Sequence, residues 1–132
     1  MGTDRKTILL IDDEIGFHEL FRYLIEPLGI QLQSAFNGVE GLECSSKKDY
    51  VVIFLDMHMP KMVGTEVLKR IHAMKPRQPV VMLSSNSDPT HVLEQQARQI
   101  GIEAFLEKPF EADRVLAIIA KLTGLIAKPP TP

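Results

Sequence analysis

The sequence predicts an α/β fold in which a five-stranded parallel sheet carries helices on both faces. Three observations lead to it. The apolar runs TILLI (7–11), VVIFL (51–55), PVVMLS (79–84) and AFL (104–106) are each bounded by turn formers or charges. The first three lack alternation, as strands buried on both faces do. Helical apolar patterns fill the gaps between strands, and that regular alternation implies parallel strands joined by right-handed crossovers.

The elements follow in order. Residues 7–11 form the first strand. Phe17, Leu20, Phe21, Leu24, Ile25 and Leu28 then fall at i, i+3, i+4, i+7, i+8 and i+11, one apolar stripe on a first helix. Pro27 in its last turn and Gly29 just beyond end that helix near residue 27. IQLQSA (30–35) alternates and predicts an edge strand, after which Asn37–Gly38 opens a second, shorter helix. The third strand is 51–55. Gly64 precedes a third helix whose core face is Val67, Leu68, Ile71 and Met74. The fourth strand is 79–84, and Asp88 followed by Pro89 starts a fourth helix as cap and first helical residue, with Gly101 closing it. After the fifth strand, a last helix over about 112–123 turns Val115, Ile118, Ile119 and Leu122 inward. For five such units the commonest strand order is 2-1-3-4-5, the flavodoxin-like arrangement. The folded domain spans 7–123, with an N-terminal extension over 1–6 and a tail or linker over 124–132.

Composition narrows the function classes. The chain has 132 residues, 45% apolar and 24% charged, which fits one compact domain with a full core. Net charge is −2 and the basic residues are scattered, so no direct nucleic-acid surface is expected. No apolar run approaches the roughly 18 residues that a membrane span takes. No signal peptide opens the chain, and Lys6 breaks the myristoylation pattern begun by Met1–Gly2. Cys44 is the only cysteine, which excludes an internal disulfide and suits the cytoplasm.

In sheets of this kind, sites lie beyond the carboxyl ends of the strands, at the switch between strands 1 and 3. Strand 1 is followed by Asp12, Asp13 and Glu14, strand 3 by Asp56; strand 4 ends in Ser84–Ser85 and strand 5 in Glu107–Lys108–Pro109. Asp12 and Asp13 alone could be helix caps. Matching polar residues on three other strand ends make them part of a site, with Asp56 expected at its mouth, partly solvated. Three converging carboxylates repel one another, and an all-oxygen donor set suits a hard cation such as Mg²⁺.

LLIDDE (9–14), FLDMHMP (54–60), Gly64, MLSS (82–85) and AFLEKPF (104–110) resemble, in this order and spacing, a response-regulator receiver domain over essentially residues 7–122. The resemblance implies that Asp56 is the phosphoacceptor and nucleophile, forming an acyl phosphate. It implies that Asp13 and Asp56 bind Mg²⁺ directly, Asp12 through water, and the His58 carbonyl as well. Lys108 and Ser84 would hold the phosphoryl oxygens. Phe105 would be the aromatic switch coupled to Ser84, and Pro109 would follow a cis peptide bond that aims Lys108 inward. Such a domain is a switch that phosphorylates and dephosphorylates itself rather than a turnover enzyme. Its partners would be a histidine kinase or phosphotransfer protein and a downstream protein or output domain. The resemblance implies an output face of helix 4, strand 5 and helix 5, where Leu116, Ala117 and Ala120, with Leu125 and Ile126 beyond, suggest either a contact surface and a possible homodimer or a patch that Leu125 and Ile126 fold back to cover.

Val63, before Gly64, and Ser85, beside Ser84, depart from the family's usual Asp and Ala; His58 and Asn86 stand where the family tunes the lifetime of the phosphoryl group. His18, His72 and His91 have no partner at ligand spacing and are expected at the surface or half-buried. Cys44 packs as a small hydrophobe, and Met57, Met59 and Met62 fill gaps beside the site. A Mg²⁺-dependent phosphatase of the haloacid-dehalogenase type would also use a strand-end Asp, but it carries D-x-D after strand 1. A flavin-binding module would need a Ser/Thr/Gly-rich loop there.

Overall fold

The computed structural model describes residues 7–59, 62–84 and 91–124. Five strands, β1 (Thr7–Ile11), β2 (Gln31–Ala35), β3 (Ile53–Asp56), β4 (Val80–Ser84) and β5 (Ala104–Glu107), form one sheet in the order 2-1-3-4-5. Every pairing is parallel, with Leu10 opposite both Ser34 and Phe54, and Asp56 opposite Leu83. The helices are α1 (Ile15–Ile25), α2 (Gly38–Lys47), α3 (Gly64–Met74), α4 (Val92–Ile100) and α5 (Ala112–Thr123).

Successive side chains on a strand point to opposite faces, and the core divides accordingly. Ile8, Leu10, Phe54, Val81, Leu83 and Leu106 pack with α1 and α5 on one side. Leu9, Ile11, Ile53, Leu55 and Met82 pack with α2, α3 and α4 on the other. β1, β3 and β4 are buried along their whole length, whereas the edge strand β2 alternates.

Local sequence explains the element ends. α1 passes into a single 3-10 turn, Glu26–Leu28, around Pro27, and Gly29 closes it at φ 74°. Asn37 caps α2 by accepting from the Glu40 amide at 2.9 Å, while Glu40 accepts from the Phe36 amide. Gly101 and Gly124 close α4 and α5.

Several expectations need correction. Leu20 is 47% exposed and Met74 45% exposed, so neither belongs to the core. At about 100° per residue, His18, Phe21 and Ile25 share the inward face of α1, with Leu20 on the far side. Met74 falls in the last turn of α3, just before the cap at Lys75. β3 begins at Ile53, with the buried Val51 and Val52 leading into it, and it includes Asp56. The described part of α4 starts at Val92, with His91 as its cap at φ 56°. Pro60, Ser85, Asn86, Asp88, Pro89, Leu125 and Ile126 lie outside the described residues. On α5, Val115 and Ile119 are buried, Leu116 and Ala120 are half-buried, and Ala117 is exposed.

Candidate functional site

The carboxyl ends of β1 and β3 bring Asp12, Asp13 and Asp56 together, with one oxygen from each within 4.8 Å of the others. Asp13 is exposed, while Asp12 and Asp56 are 0% and 2% exposed. Asp56 is therefore buried, not partly solvated as its place at a strand end suggested. It is the last residue of β3, flanked by β1 and β4, and Met57 continues the pairing by donating to Leu83 O at 2.7 Å. Burial and the charge of Asp12 push the Asp56 carboxyl up to about 6, with a further push from Asp13. Lys108 and the His58 amide, which donates to Asp56 Oδ1 at 3.3 Å, act the other way.

Asp12 is held from two sides. Its Oδ1 accepts from the Glu14 amide at 2.9 Å, and its Oδ2 lies 2.6 Å from Lys108 Nζ. Lys108 also reaches Glu14 Oε1 at 3.4 Å and stands over the Phe17 ring, 4.1 Å from its centroid. Burial pulls the Lys108 ammonium down, but its hydrogen bond to Asp12 and the charges of Asp12, Asp56 and Glu14 outweigh that and hold it above its usual value. The Lys108–Pro109 bond is cis, as expected, and the Lys108 amide donates to Ser84 O at 2.7 Å.

Ser84 ends β4 with 1% exposure. Phe105 pairs in register with Met82 and is half-buried against the α3–α4 layer. It also lines an open groove of about 520 Å³ with Glu94, Glu107, Pro109, Phe110, Glu111 and Arg114. His58 is exposed, with its backbone turned to Asp56. Gly64 lies against this corner: a β-carbon there would come 2.7 Å from Met57 Cα and 2.8 Å from Asp56 O. Met57 is buried, and Met59 and Met62 pack beside it. Cys44 packs in the same layer, and burial pushes its thiol up.

His18 was expected at the surface or half-buried, yet it is 2% exposed. Its Nε2 lies 2.7 Å from the Asp12 carbonyl and its Nδ1 2.7 Å from Ser34 Oγ, on the edge strand. Phe17, just before it, was assigned only to the core stripe and also supports Lys108. The signal for both was present: positions 17 and 18 lie about one turn beyond the acidic pair, on a helix that starts at the site.

Comparison with known proteins follows the same lines. A sequence model of the response regulator receiver domain matches residues 8–120. The transcriptional regulatory protein CpxR homolog of Haemophilus influenzae is 35% identical over 126 residues, covering 95% of this chain and 52% of that protein. Sporulation initiation phosphotransferase F of Bacillus subtilis is 27% identical over 118 residues, covering 89% of this chain and 94% of that one. A CheY-like receiver domain structure from Methanospirillum hungatei superposes with a TM-score of 0.83 at 22% identity, covering 92% and 95% of the two chains, and shares the fold. The chain spans about half the length of the transcriptional regulators it matches, 49% and 52% for two of them.

Proposed function

The chain belongs to the response regulator receiver family, and from that premise we propose that Asp56 is its phosphoacceptor, with Asp12, Asp13, Lys108 and Ser84 as the surrounding machinery. The family is a phosphorylation-dependent signalling switch, and the haloacid-dehalogenase alternative is not supported. The observation that carries the proposal is the meeting of three carboxylates and one half-buried ammonium at the ends of β1, β3 and β5.

The donor set fits a hard divalent cation. Two buried carboxylates and one exposed one bring oxygens close together, and Asp56 is raised by burial first and then by repulsion from Asp12 and Asp13, which a cation would relieve. Asp13 and Asp56 would hold Mg²⁺ directly, Asp12 through water, and the His58 carbonyl would complete the protein ligands. When bound, the ion supplies positive charge against the phosphoryl oxygens.

Asp56, as carboxylate, attacks phosphorus. The new O–P bond forms as the donor's P–N bond breaks, and the electron pair leaves with the imidazole of a histidine kinase or phosphotransfer protein. Lys108, already beside the carboxylates, contributes its ammonium to the phosphoryl oxygens, and the Ser84 hydroxyl donates from β4. Phe105 couples that hydroxyl to the groove between α4, β5 and α5, where a downstream protein, an output domain or a second copy would read the state. Relatives named as transcriptional regulators make an attached DNA-directed output compatible with this role, the receiver itself contributing no nucleic-acid contact. No helix among the described residues is long and apolar enough to cross a membrane, and we assign the domain to the cytoplasm.

Intact-mass measurement after acetyl phosphate and Mg²⁺ tests the assignment. One phosphoryl group is expected on the unmodified chain and none on Asp56→Asn. Full phosphorylation of Asp56→Asn moves the nucleophile elsewhere, and steady turnover of free phosphoesters would restore the phosphatase.

A further inference from the structure

On its inward face, beside Phe21 and Ile25, α1 buries a histidine at the edge of the acidic cluster. His18 is 2% exposed, and both ring nitrogens are engaged at 2.7 Å. A carbonyl oxygen only accepts, so the nitrogen facing Asp12 O, Nε2, carries a hydrogen. In the neutral ring Nδ1 then accepts from the Ser34 hydroxyl. The ring also lies against Phe36, with centroids 4.4 Å apart, and this fixes its plane.

The bond partner matters more than the bond. Asp12 O belongs to the peptide joining Asp12 to Asp13, the two carboxylates contributed by β1. Pairing with β2 ends beside it, where the Asp12 amide donates to Ala35 O at 3.0 Å. Beyond that point the sheet no longer orients the backbone. The Glu14 amide, donating to Asp12 Oδ1, closes a turn through the following peptide, and Lys108 holds the other carboxylate oxygen. His18 is the side chain that holds the carbonyl of that peptide, and Ser34 on β2 holds His18.

We propose that His18 is a positioning residue for the cation-binding acidic pair, holding the Asp12–Asp13 peptide so that the Asp13 carboxylate faces Asp56. The inference rests on the reading of Asp12, Asp13 and Asp56 as a Mg²⁺ site. Partners that orient metal ligands commonly change metal affinity by about 10- to 100-fold when removed. His18 acts through a backbone carbonyl, which places its effect near the lower figure.

The test is calorimetric titration of the full chain with Mg²⁺, paired with urea denaturation. His18→Leu keeps buried volume and removes both hydrogen bonds; about tenfold weaker Mg²⁺ binding is expected. Ser34→Ala leaves the ring but frees it, and a smaller loss of roughly threefold is expected. His18→Gln, which retains a donor near the Nε2 position, restores most of the affinity. Ile119→Val, in the core at α5, serves as a stability control: it lowers the urea midpoint and leaves Mg²⁺ affinity unchanged. Affinity within twofold of the unmodified chain in both His18→Leu and Ser34→Ala overturns the proposal and leaves His18 a structural residue. Should His18→Leu fail to fold, Ser34→Ala decides alone by the same criterion. If the unmodified chain binds no Mg²⁺, or Asp13→Asn binds it equally well, the acidic-site reading itself falls and this inference with it.

Discussion

Lys108 and Asp12 form an ion pair 2.6 Å long between β5 and β1, with side-chain exposures of 11% and 0%. The contact joins strands that are not neighbours in the sheet. It places the ammonium on Asp12, while Asp56 acts on it by charge.

Lys108→Ala should therefore cost stability as well as impair phosphorylation or its readout. It leaves the buried Asp12 carboxylate without its counter-charge, a loss of about 3 kcal/mol in metal-free buffer. Millimolar Mg²⁺ should recover part of it, because a cation near Asp12 replaces the missing charge. Urea denaturation with and without Mg²⁺ measures both. A cost below about 1 kcal/mol would place the pair with ordinary surface ion pairs.

Asp56 gives the metal-free protein a specific pH dependence. Its carboxyl is raised from 3.8 to about 6, so the folded state binds the proton more tightly than the unfolded chain. Its contribution to stability is fully present below 3.8 and lost as pH rises through about 6. The loss totals about 3 kcal/mol. Asp56→Asn should be more stable than the unmodified chain at pH 7.5 by up to that amount, and the gap should close near pH 4. Denaturation midpoints that differ equally at both pH values would rule this out.

Two glycines should respond to alanine in opposite directions. At Gly64 the new methyl meets backbone atoms of Met57 and Asp56 within 3 Å. Gly64→Ala should lose about 2 kcal/mol and slow phosphate incorporation, since Asp56 must shift. Gly16, inside α1, has nothing within 4 Å of the same position. Gly16→Ala should gain about 0.5–1 kcal/mol from helix propensity without changing phosphorylation. Thermal unfolding checks the signs.

The output face is tested at Leu116, half-buried on α5. Sedimentation with and without a phosphoryl mimic should show enhanced self-association or partner binding, and Leu116→Glu should reduce it. If the chain stays monomeric under both conditions and the substitution changes no partner binding, the reading surface lies elsewhere.

The strands and the acidic cluster were legible because both depend on short-range pattern, while the strand order followed from the commonest arrangement of five such units. Unbroken apolar runs mark doubly covered strands, and the residue after each run falls at one rim of the sheet. The role of α1 was harder to read. Periodicity admitted Leu20 to the stripe and passed over His18, because a hydrophobicity pattern cannot know that a carbonyl and a hydroxyl from β1 and β2 wait inside. Phe17 was visible as an apolar position, but its contact with Lys108 spans most of the chain. Burial of Asp56 was missed for a related reason: a strand end looks solvated until the neighbouring strands and the Gly64 corner close around it.

Since the sheet is covered on both sides, it acts as a partition between two side-chain compartments. Leu10 and Phe54 face one, Ile11 and Leu55 the other, and none of these core side chains reaches across. A repacking event beside α1 or α5 can be felt beside α3 or α4 by two routes, through the strands themselves or around their rim. The rim is where Phe17, from the first compartment, touches Lys108, and where Phe105, from the second, lies three residues before it. A change of charge at that rim acts on both compartments at once, whereas a change deep within either one has the thickness of a β-sheet in its way.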